Sequence, residues 1–445
     1  MYEVRKNKKG KYAVYKDNAK RASKVFSSEK EAQLYVSRMT KKKTAGLKKR
    51  FGVKGFVLVV LLIVCILGFF FIKERFFSPD TPKQTVVFED ADLKIHFLEL
   101  GNEYTGDCTY IKAGDVDILI DAGSRKDSAP VIKKYLDRYL EDDTLEYVIA
   151  THGDQDHIAA FVGNKSGSTQ TGILYQYQVD TIITASRSNK TTAIYRDFTA
   201  AVSMLETNGT NHYTAEECWN NENGAKRRFQ ITDEIYLDIL WNQFYFTTTS
   251  DENNYSVCVM LSYFDQHFMF TGDLEKEGEE AMAAYYDGSS SEKTLPHVAL
   301  FKAGHHGSKT SSNDCLLQKI TPEIVCVCCC AGGSEYTANY NNVFPTQEMI
   351  TRVARYTDQI YVTSLYNENT LQFQSFNGNI TVYSDGNGVD VIGSNHSTIL
   401  KDSDWFNEKV YVIGNNRCSG KGKKDFYTKD TPGAIEVIRR VWPTI

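Results

Sequence analysis

The segment that most constrains this chain is residues 151–157, which read Thr-His-Gly-Asp-Gln-Asp-His. Within it, four side chains of types that commonly bind metals lie within six residues: His152, Asp154, Asp156 and His157. Imidazole together with carboxylate suits Zn²⁺, Mn²⁺ or Fe²⁺ and disfavours soft thiolate chemistry. The alternative is a polar surface loop that carries its histidines by chance, so the surrounding pattern has to decide.

The surrounding residues favour a strand-to-helix turn. Residues 145–150 (Leu-Glu-Tyr-Val-Ile-Ala) read as a buried strand, and residues 158–161 (Ile-Ala-Ala-Phe) can start a helix. On such a turn the first two candidate ligands can converge on one point and the last two on a neighbouring point. The pattern therefore predicts that one loop supplies ligands to two metal sites.

From residue 86 onward, short apolar runs alternate with polar turns and helical stretches, one of them expected at 129–140, which is typical of an α/β domain. Further apolar runs end at acidic or histidine side chains: residues 118–120 before Asp121, residues 266–270 before Asp273, and residues 298–302 before His305 and His306. Open α/β folds present their reactive groups at strand ends. These residues are therefore candidates for the same site.

In this order the motifs resemble the metallo-β-lactamase superfamily, and within it the hydrolase domain of ComEC-type DNA-uptake proteins. The motifs are Asp-Ala-Gly at 121–123, His-x-Asp-x-Asp-His at 152–157, Thr-Gly-Asp at 271–273 and Lys-Ala-Gly-His-His-Gly-Ser at 302–308, supported by Gly106-Asp107, Ser311-Ser312 and residues 254–257 and 379–386. The resemblance spans about residues 86–393. It implies an αβ/βα four-layer sandwich with a dinuclear site along one edge of two facing sheets.

The resemblance also implies two divalent metal ions, Zn²⁺ or Mn²⁺, and a role for each motif residue. The implied ligands are His152 and Asp154 for one metal, Asp156, His157 and His305 for the second, and Asp273 as a bridge. Asp121 would steady the ligand loop without touching metal. Asp156 and His306 are the expected catalytic residues, with His306 donating to the leaving group or binding substrate. Which of His305 and His306 touches metal stays open.

Two neighbouring metals can share a water, lower its pKa and hold both the attacking and the leaving oxygen, which suits hydrolysis of a phosphodiester or acyl bond. Two features depart from the family pattern. The β-lactamases carry a second His where this chain has Asp154, and a further downstream His has no counterpart, since His212 lies in a polar insertion. ComEC-type domains have Gly-His-Pro where this chain has Val-Phe-Pro at 343–345. These departures bear on substrate preference more than on metal binding.

A small basic module precedes this domain. Residues 1–45 show two short alternating strands followed by an amphipathic helix with a Ser28–Glu31 capping box, which predicts a ββα unit. Residues 1–54 carry 18 Lys and Arg against 4 Asp and Glu, so the remaining residues carry 33 basic and 52 acidic side chains, a net charge of −19. The lysines could contact nucleic acid or anionic lipid, or form a solvated face beside a membrane.

Residues 55–72 contain no charge and no proline, and they are just long enough to cross a bilayer as a helix. Without a cleavage signature they predict an uncleaved, single-pass anchor in the cell membrane. Lys and Arg are concentrated before the segment, so the positive-inside rule places the N-terminus in the cytoplasm and the hydrolase domain outside. The cysteine content points the other way, because nine cysteines outside the anchor are many for an oxidising compartment.

Three further segments have weaker signals. Residues 326–330 (Cys-Val-Cys-Cys-Cys) read as a core strand of small residues, with a metal or disulfide cluster as the alternative. The insertion 164–254, which contains Lys226-Arg227-Arg228, could form a substrate lid or a surface elaboration. Residues 394–445 form an extension of unknown role, with a helix expected at 433–441.

The sequence therefore predicts a membrane-anchored, dinuclear metal-dependent hydrolase whose substrate is a phosphodiester, either nucleic acid or a cell-envelope component. The rival hypothesis is a metal-binding sensor without turnover that signals through the N-terminal module. No protein partner is identifiable from the sequence.

Overall fold

The computed structural model describes residues 2–6, 11–16, 24–39, 86–333, 343–367, 370, 372–403, 406, 410–414, 434–439 and 442. The chain divides into two compact units, Met1–Lys83 and Gln84–Ile445. Within the described ranges, no helix combines the length and apolarity that a membrane crossing needs. The anchor predicted at 55–72 lies outside the described residues.

The N-terminal unit contains an antiparallel sheet of three strands and one helix. They are β1 (Tyr2–Lys6), β2 (Tyr12–Lys16), β3 (Lys24–Phe26) and α1 (residues 29–39). The ββα pattern predicted two strands and missed β3, because three residues are too few for an alternation to show. Ala13, Val14 and Ala32 are buried and form the small core of this unit.

The first large sheet of the second unit has eight strands. They are β4 (Leu93–Phe97), β5 (Thr109–Ala113), β6 (Val116–Ile120), β7 (Thr144–Ala150), β10 (Gln178–Thr184), β11 (Asn211–Thr214), β20 (Ile380–Ser384) and β21 (Val389–Gly393). Their order is β11-β10-β7-β6-β5-β4-β20-β21, with a separate hairpin of β8 (Lys165–Ser166) and β9 (Thr169–Gln170). The strands β6, β7, β10 and β11 run parallel, so their carboxyl ends meet at one edge.

The second sheet also has eight strands, arranged in chain order. They are β12 (Arg228–Gln230), β13 (Ile235–Ile239), β14 (Val259–Tyr263), β15 (Gln266–Phe270), β16 (Leu300–Lys302), β17 (Ile324–Ala331), β18 (Ile360–Asn367) and β19 (Gln372–Ser375). The strands β15 to β18 are parallel, as in the first sheet. Both sheets therefore offer a run of parallel strand ends.

The two sheets face each other and helices cover their outer faces. The outer helices are α2 (Ala129–Leu136), α3 (Gln155–Val162), α4 (Ala193–Thr207), α6 (Lys276–Tyr285), α7 (Asp314–Ile320) and α8 (Gln347–Val353). The short helix α5 (Ala215–Asn220) instead packs Ala215 and Cys218 into the core between the sheets. One apolar cluster joins the inner faces, a second packs α2, α3 and α4 on the first sheet, and a third packs α6, α7 and α8 on the second. This is the predicted four-layer αβ/βα sandwich. The helix expected at 129–140 ends four residues early, at Leu136.

The insertion 164–254 contributes to the sandwich itself. It supplies β10 and β11 to the first sheet and β12 and β13 to the second, so most of it is neither a lid nor a surface elaboration. Two of its loops, near residues 188–190 and 250–253, line a cavity of about 550 Å³. The polar composition of this insertion hid its strands, and its two edge strands, β11 and β12, are only four and three residues long.

Two other segments test the expectations for the C-terminal half. Strand β17 carries Cys326, Cys328, Cys329 and Cys330, all buried as free thiols, which agrees with a core strand. The helix expected at 433–441 is wrong: Ala434–Arg439 is a strand, β23, paired antiparallel with β22 (Val410–Gly414). Its sequence Ala-Ile-Glu-Val-Ile-Arg is rich in β-branched residues, which favours a strand.

Candidate metal centre

The loop between β7 and α3 carries the predicted ligands, and Asp121 holds it in place. Asp121 follows β6 in the left-handed region, with φ 59°. Its carboxylate accepts hydrogen bonds of 2.7 Å from the Thr151 N–H, of 2.7 Å from the Thr151 hydroxyl and of 2.7 Å from His157 Nδ1. Because Nδ1 of His157 is bound to Asp121, its Nε2 is left to face the interior of the site.

The Asp-Ala-Gly motif also fixes how closely two segments approach. A Cβ atom on Gly123 would lie 1.6 Å from the Asp156 carbonyl oxygen, so only glycine fits there. The neighbouring Ala122 N–H donates to the His157 carbonyl at 2.7 Å, and the Asp107 N–H donates to the Asp156 carbonyl at 3.0 Å. These backbone bonds bring Asp107 against the metal-binding loop.

The second sheet contributes Asp273 and His306. Asp273 follows β15, and its backbone N–H donates to Ser256 Oγ at 3.0 Å. His306 lies in a tight turn after β16, in which His305 and His306 both have positive φ, 47° and 51°. The His306 Nδ1 lies 3.1 Å from the Cys328 carbonyl oxygen, which turns Nε2 towards the first sheet.

These elements form one buried cluster of four potential ligands: Asp107, His157, Asp273 and His306, whose ligand atoms all lie within 4.8 Å of one another. The Nε2 atoms of His157 and His306 are 3.2 Å apart, and they lie 3.2 Å and 3.3 Å from Asp273 Oδ2. Asp156 Oδ2 lies 3.5 Å from His306 Nε2. Two imidazole nitrogens and several carboxylate oxygens thus converge on one point.

The donor set fits a divalent metal. Imidazole nitrogen and carboxylate oxygen are the ligands that Zn²⁺ and Mn²⁺ accept, and the Asp121–His157 hydrogen bond is the arrangement that orients metal-binding histidines. Asp273 Oδ1 and His152 Nε2 are buried and have no hydrogen-bond partner within the described part of the chain. A buried polar atom without a partner is costly, so such atoms are expected where an ion binds.

The second predicted metal site, at His152 and Asp154, has fewer ligands. His152 Nε2 lies 3.6 Å from Asp154 Oδ2, and the His152 ring packs against His157 with ring centroids 4.2 Å apart. Asp154 forms an ion pair with Lys190, a residue of the insertion. In the described residues, no third ligand closes around His152 and Asp154.

His305 lies beside the cluster, not within it. Its Nε2 is 3.9 Å from Asp273 Oδ2, and its Nδ1 is 3.1 Å from Glu275 Oε1. Burial opposes ionisation of Glu275, but the hydrogen bond from His305 lowers its pKa to about 2. The geometry thus brings His306, expected as a catalytic residue, into the ligand cluster, and places His305, expected as a ligand, at its edge.

The sequence reasoning missed Asp107 as a ligand and Lys302 as its partner. Both residues lie in motifs that carry the family resemblance, but neither belongs to the His-x-Asp-x-Asp-His segment. The Lys302 ammonium contacts Asp107 Oδ2 and lies 3.9 Å from Asp273 Oδ1, with both side chains buried. Burial would lower the pKa of Lys302, but Asp107 and Asp273 raise it. The sequence signal for this ion pair was Lys302 itself, a lysine at the end of a buried strand.

The charged groups of the cluster shift one another's pKa. Burial would raise the pKa of Asp273, but His157 and His306 hold it well below its usual range. Burial would lower the pKa of His157 and of His306, but Asp273 helps to raise both well above their usual value. Asp273 thus favours the protonated form of both imidazoles.

The two departures from the family pattern have structural counterparts. The ring of Phe344 packs against His305 and His306, with centroids 5.6 Å and 6.2 Å apart, so an apolar ring borders the site at the position of the Val-Phe-Pro segment. His212 contacts Thr184 and Glu206, at 2.9 Å and 3.0 Å, and is not among the residues of the cluster.

Comparisons with known proteins agree with this geometry. Residues 101–166 match the family model of the metallo-beta-lactamase superfamily. The chain is 24% identical over 236 residues to Recombination protein 2 of Haemophilus influenzae, covering 53% of this chain and 24% of that protein. It is 25% identical over 150 residues to ComE operon protein 3 of Bacillus subtilis, covering 33% of this chain and 17% of that protein. The matches thus span about a quarter or less of these relatives' lengths.

Solved structures are similar as well. The metallo-beta-lactamase fold protein YhfI from Bacillus subtilis aligns with a TM-score of 0.35 and 9% identity, covering 66% of this chain and 99% of that one. The short form of human tRNase Z aligns with a TM-score of 0.29 and 12% identity, covering 61% and 92%. The family model and the two relatives confirm the predicted resemblance to the metallo-β-lactamase superfamily and to ComEC-type proteins. The chain has a hydrolase-like fold with a candidate metal site.

We expect Asp121→Asn to weaken metal binding by about 10- to 100-fold, because the amide no longer fixes the tautomer and orientation of His157. Competition between the purified full-length protein and a chromophoric chelator for Mn²⁺ measures the affinity. Asp197→Asn is the control, since Asp197 pairs with Lys126 in an exposed ion pair. An unchanged affinity in Asp121→Asn would show that this hydrogen bond does not support the site.

Metal uptake should release protons. The raised pKa values of His157 and His306 favour their protonated forms, and Nε2 binds metal only after losing its proton, so metal binding in this cluster should displace protons. The apparent affinity should then rise as pH rises. Calorimetry in buffers of different ionisation enthalpy counts the protons. His297→Gln, at an exposed histidine paired with Glu323, should leave the count unchanged. Metal uptake without proton release would contradict the protonation states.

Proposed function

We propose that this chain is a membrane-anchored, dinuclear metal-dependent hydrolase that cleaves phosphodiester bonds. The observation that carries the proposal is the buried cluster of Asp107, His157, Asp273 and His306, whose ligand atoms converge within 4.8 Å at the edge where both sheets end. The metallo-β-lactamase superfamily, which residues 101–166 match, supplies the reaction class.

In this proposal His157, Asp273 and His306, with Asp107 and Asp156, hold the first metal. His152 and Asp154 would hold the second, and Asp273 would be a ligand that the two metals share. When bound, the two metals supply an activated water and neutralise charge on the scissile group. Asp121 and the Cys328 carbonyl orient the two imidazoles, and Lys302 holds the carboxylate of Asp107.

His305 is suited to handle the proton of the leaving group. Its side chain is 21% exposed, whereas His306 is fully buried. Glu275 accepts from His305 and also from Thr310 Oγ1 at 2.9 Å, so the imidazole has a fixed orientation at the rim of the cluster. A neutral leaving group requires a proton, and a partly exposed, oriented imidazole can deliver one.

The cavity beside the cluster favours a small substrate. Its volume is about 550 Å³, and its lining residues are Asp154, Asn189, Lys190, Ser250, Asp251, Glu252 and Asn253. Three of these are acidic and one is basic. Burial and the nearby Glu275 raise the pKa of Asp251. Such a lining suits one phosphodiester with neutral or cationic flanks better than a polyanion.

The basic side chains of the insertion do not offset this acidity. Arg228 is paired with Asp238 at 2.7 Å, and Arg227 packs over the Trp219 ring at 3.8 Å while donating to its carbonyl. The residues after position 54 carry a net charge of −19. We infer that cell-envelope phosphodiesters, such as choline-phosphate or teichoic-acid linkages, fit better than nucleic acid, which binds largely through Lys and Arg.

The membrane anchor at 55–72 and the extracytoplasmic position of the hydrolase domain belong to the same proposal. They rest on the apolar composition of this segment and on the basic residues that precede it.

The purified full-length protein should hydrolyse bis(p-nitrophenyl) phosphate when loaded with Mn²⁺ or Zn²⁺. Asp156→Ala should lower the rate by roughly 100-fold or more, because it removes a ligand carboxylate and with it bound metal. Release of p-nitrophenol and metal content per chain are the measurements. Glu141→Ala, at an exposed acid, is the control with a matched change of charge.

If wild type and Asp156→Ala are equally inactive and free of metal, the hydrolase assignment fails. Bound metal without hydrolysis of any phosphodiester, ester or lactone would instead favour the metal-binding sensor.

Nuclease activity should be weak beside hydrolysis of p-nitrophenyl phosphocholine, and it should fall steeply between about 50 and 200 mM salt. The activity should be weak because the acidic cavity repels the phosphates that flank the scissile one. It should fall with salt because the binding that remains depends on Lys and Arg contacts to phosphate. Rates on single-stranded oligothymidine and on the small diester, measured at both salt concentrations, give the comparison. Asp251→Asn should raise the rate on the oligonucleotide relative to the rate on the small diester. Rapid, salt-insensitive DNA degradation by wild type would overturn the substrate assignment.

A further inference from the structure

Lys190 occupies a position between the insertion and the metal-binding loop. It follows β10, and the carboxylate of Glu252 ties its loop down by accepting from the Asn189 N–H at 2.6 Å and from Ser188 Oγ at 2.6 Å. The same carboxylate accepts from the Gly153 N–H at 3.0 Å. Glu252 is itself buried, so it joins the loop of Lys190 firmly to the loop that carries the candidate ligands.

The ammonium of Lys190 contacts the carboxylate of Asp154, which the second metal would need as a ligand. It contacts Asp154 Oδ1, while Asp154 Oδ2 lies 3.6 Å from His152 Nε2. His152 Nε2 has no hydrogen-bond partner among the described residues, so this pair is the remaining donor set at that position. A cation already bound to a ligand carboxylate both blocks a lone pair and repels an arriving dication.

We propose that Lys190 makes the two metals bind unequally: the cluster around Asp273 fills first, and the position at His152 and Asp154 fills only when Lys190 moves away. This inference rests on the proposed function. It goes further by assigning a role to a residue of the insertion, and it predicts two separate affinities.

Exposure distinguishes Lys190 from the other lysine of the site. Lys302 contacts Asp107 with 3% of its side chain exposed, so it is enclosed in the cluster. The side chain of Lys190 is 27% exposed and lines the cavity of about 550 Å³, into which it can swing. The occupancy of the second position is thereby coupled to the charge in the substrate cavity, because the displaced ammonium is the basic group in its lining.

The test is a titration of the full-length protein, stripped with a chelator, with Mn²⁺ by calorimetry, and with metal counted after dialysis. Wild type should bind two ions with distinct affinities. Lys190→Gln should bind the weaker ion roughly tenfold more tightly, equivalent to about 1.4 kcal/mol, without changing the tighter one. Lys190→Arg should keep the weak second affinity. Lys133→Gln is the matched control, since it breaks an exposed lysine–aspartate pair with Asp137 on α2.

The outcomes separate the two proposals. No bound metal in wild type would overturn both the proposed function and this inference. Two ions whose affinities are the same in wild type and Lys190→Gln, or loss of the second ion in Lys190→Gln, would overturn the inference and leave the hydrolase intact. A second affinity that rises in Lys190→Gln but not in Lys190→Arg supports it. Circular dichroism on each variant confirms that the fold is kept.

Discussion

The hydrogen bonds that Asp121 accepts are the constraint on which the metal centre depends. Strand β6 runs parallel to β7, so Asp121 at the end of one strand lies beside Thr151 at the end of the other. Its carboxylate binds the Thr151 N–H, the Thr151 hydroxyl and His157 Nδ1 at once. The register of two strands thus determines the direction of an imidazole, and a shift of one residue would turn Asp121 to the other face.

The cluster also depends on the packing of the two sheets against each other. Asp107, Asp156 and His157 come from the first sheet and its helix, whereas Asp273 and His306 follow strands of the second. The inner faces meet in a shared apolar core, where for example Phe97 and Phe270 lie with ring centroids 6.3 Å apart. Because Phe270 immediately precedes the Thr-Gly-Asp turn, the distance between the sheets sets the distance between the two halves of the site.

The sequence was sufficient to predict features that a short local pattern defines. Buried strands such as β7, strand ends that carry Asp or His, and the family motifs together predicted the sandwich and the region of the metal centre. It was insufficient where long-range packing decides. The local sequence does not distinguish the role of His305 from that of His306. The turn that carries both has two positive φ values, and it sends their rings in different directions. The contact of Lys190 with Asp154 joins two loops that are far apart in the chain.

The remaining errors have the same cause. Strands β3 and β12 have three residues each, so pairing with a neighbour, not their own pattern, defines them. The segment 434–439 was expected to be helical, although its Ile and Val residues favour the strand that its pairing with β22 produces. Where the composition of a segment is compatible with both a helix and a strand, pairing with a neighbouring strand decides which of them forms.

The buried charges of the cluster explain why this site attracts a cation. Asp107, Asp156 and Asp273 have lowered pKa values, because Lys302, His157 and His306 stand against them although burial opposes their ionisation. Asp121, which accepts from His157 Nδ1, adds a fourth buried carboxylate. Even with both imidazoles protonated, the four carboxylates outnumber Lys302, His157 and His306, so one negative charge stays uncompensated in a medium of low dielectric constant. A divalent ion would supply the missing positive charge, beside the Lys302–Asp107 ion pair.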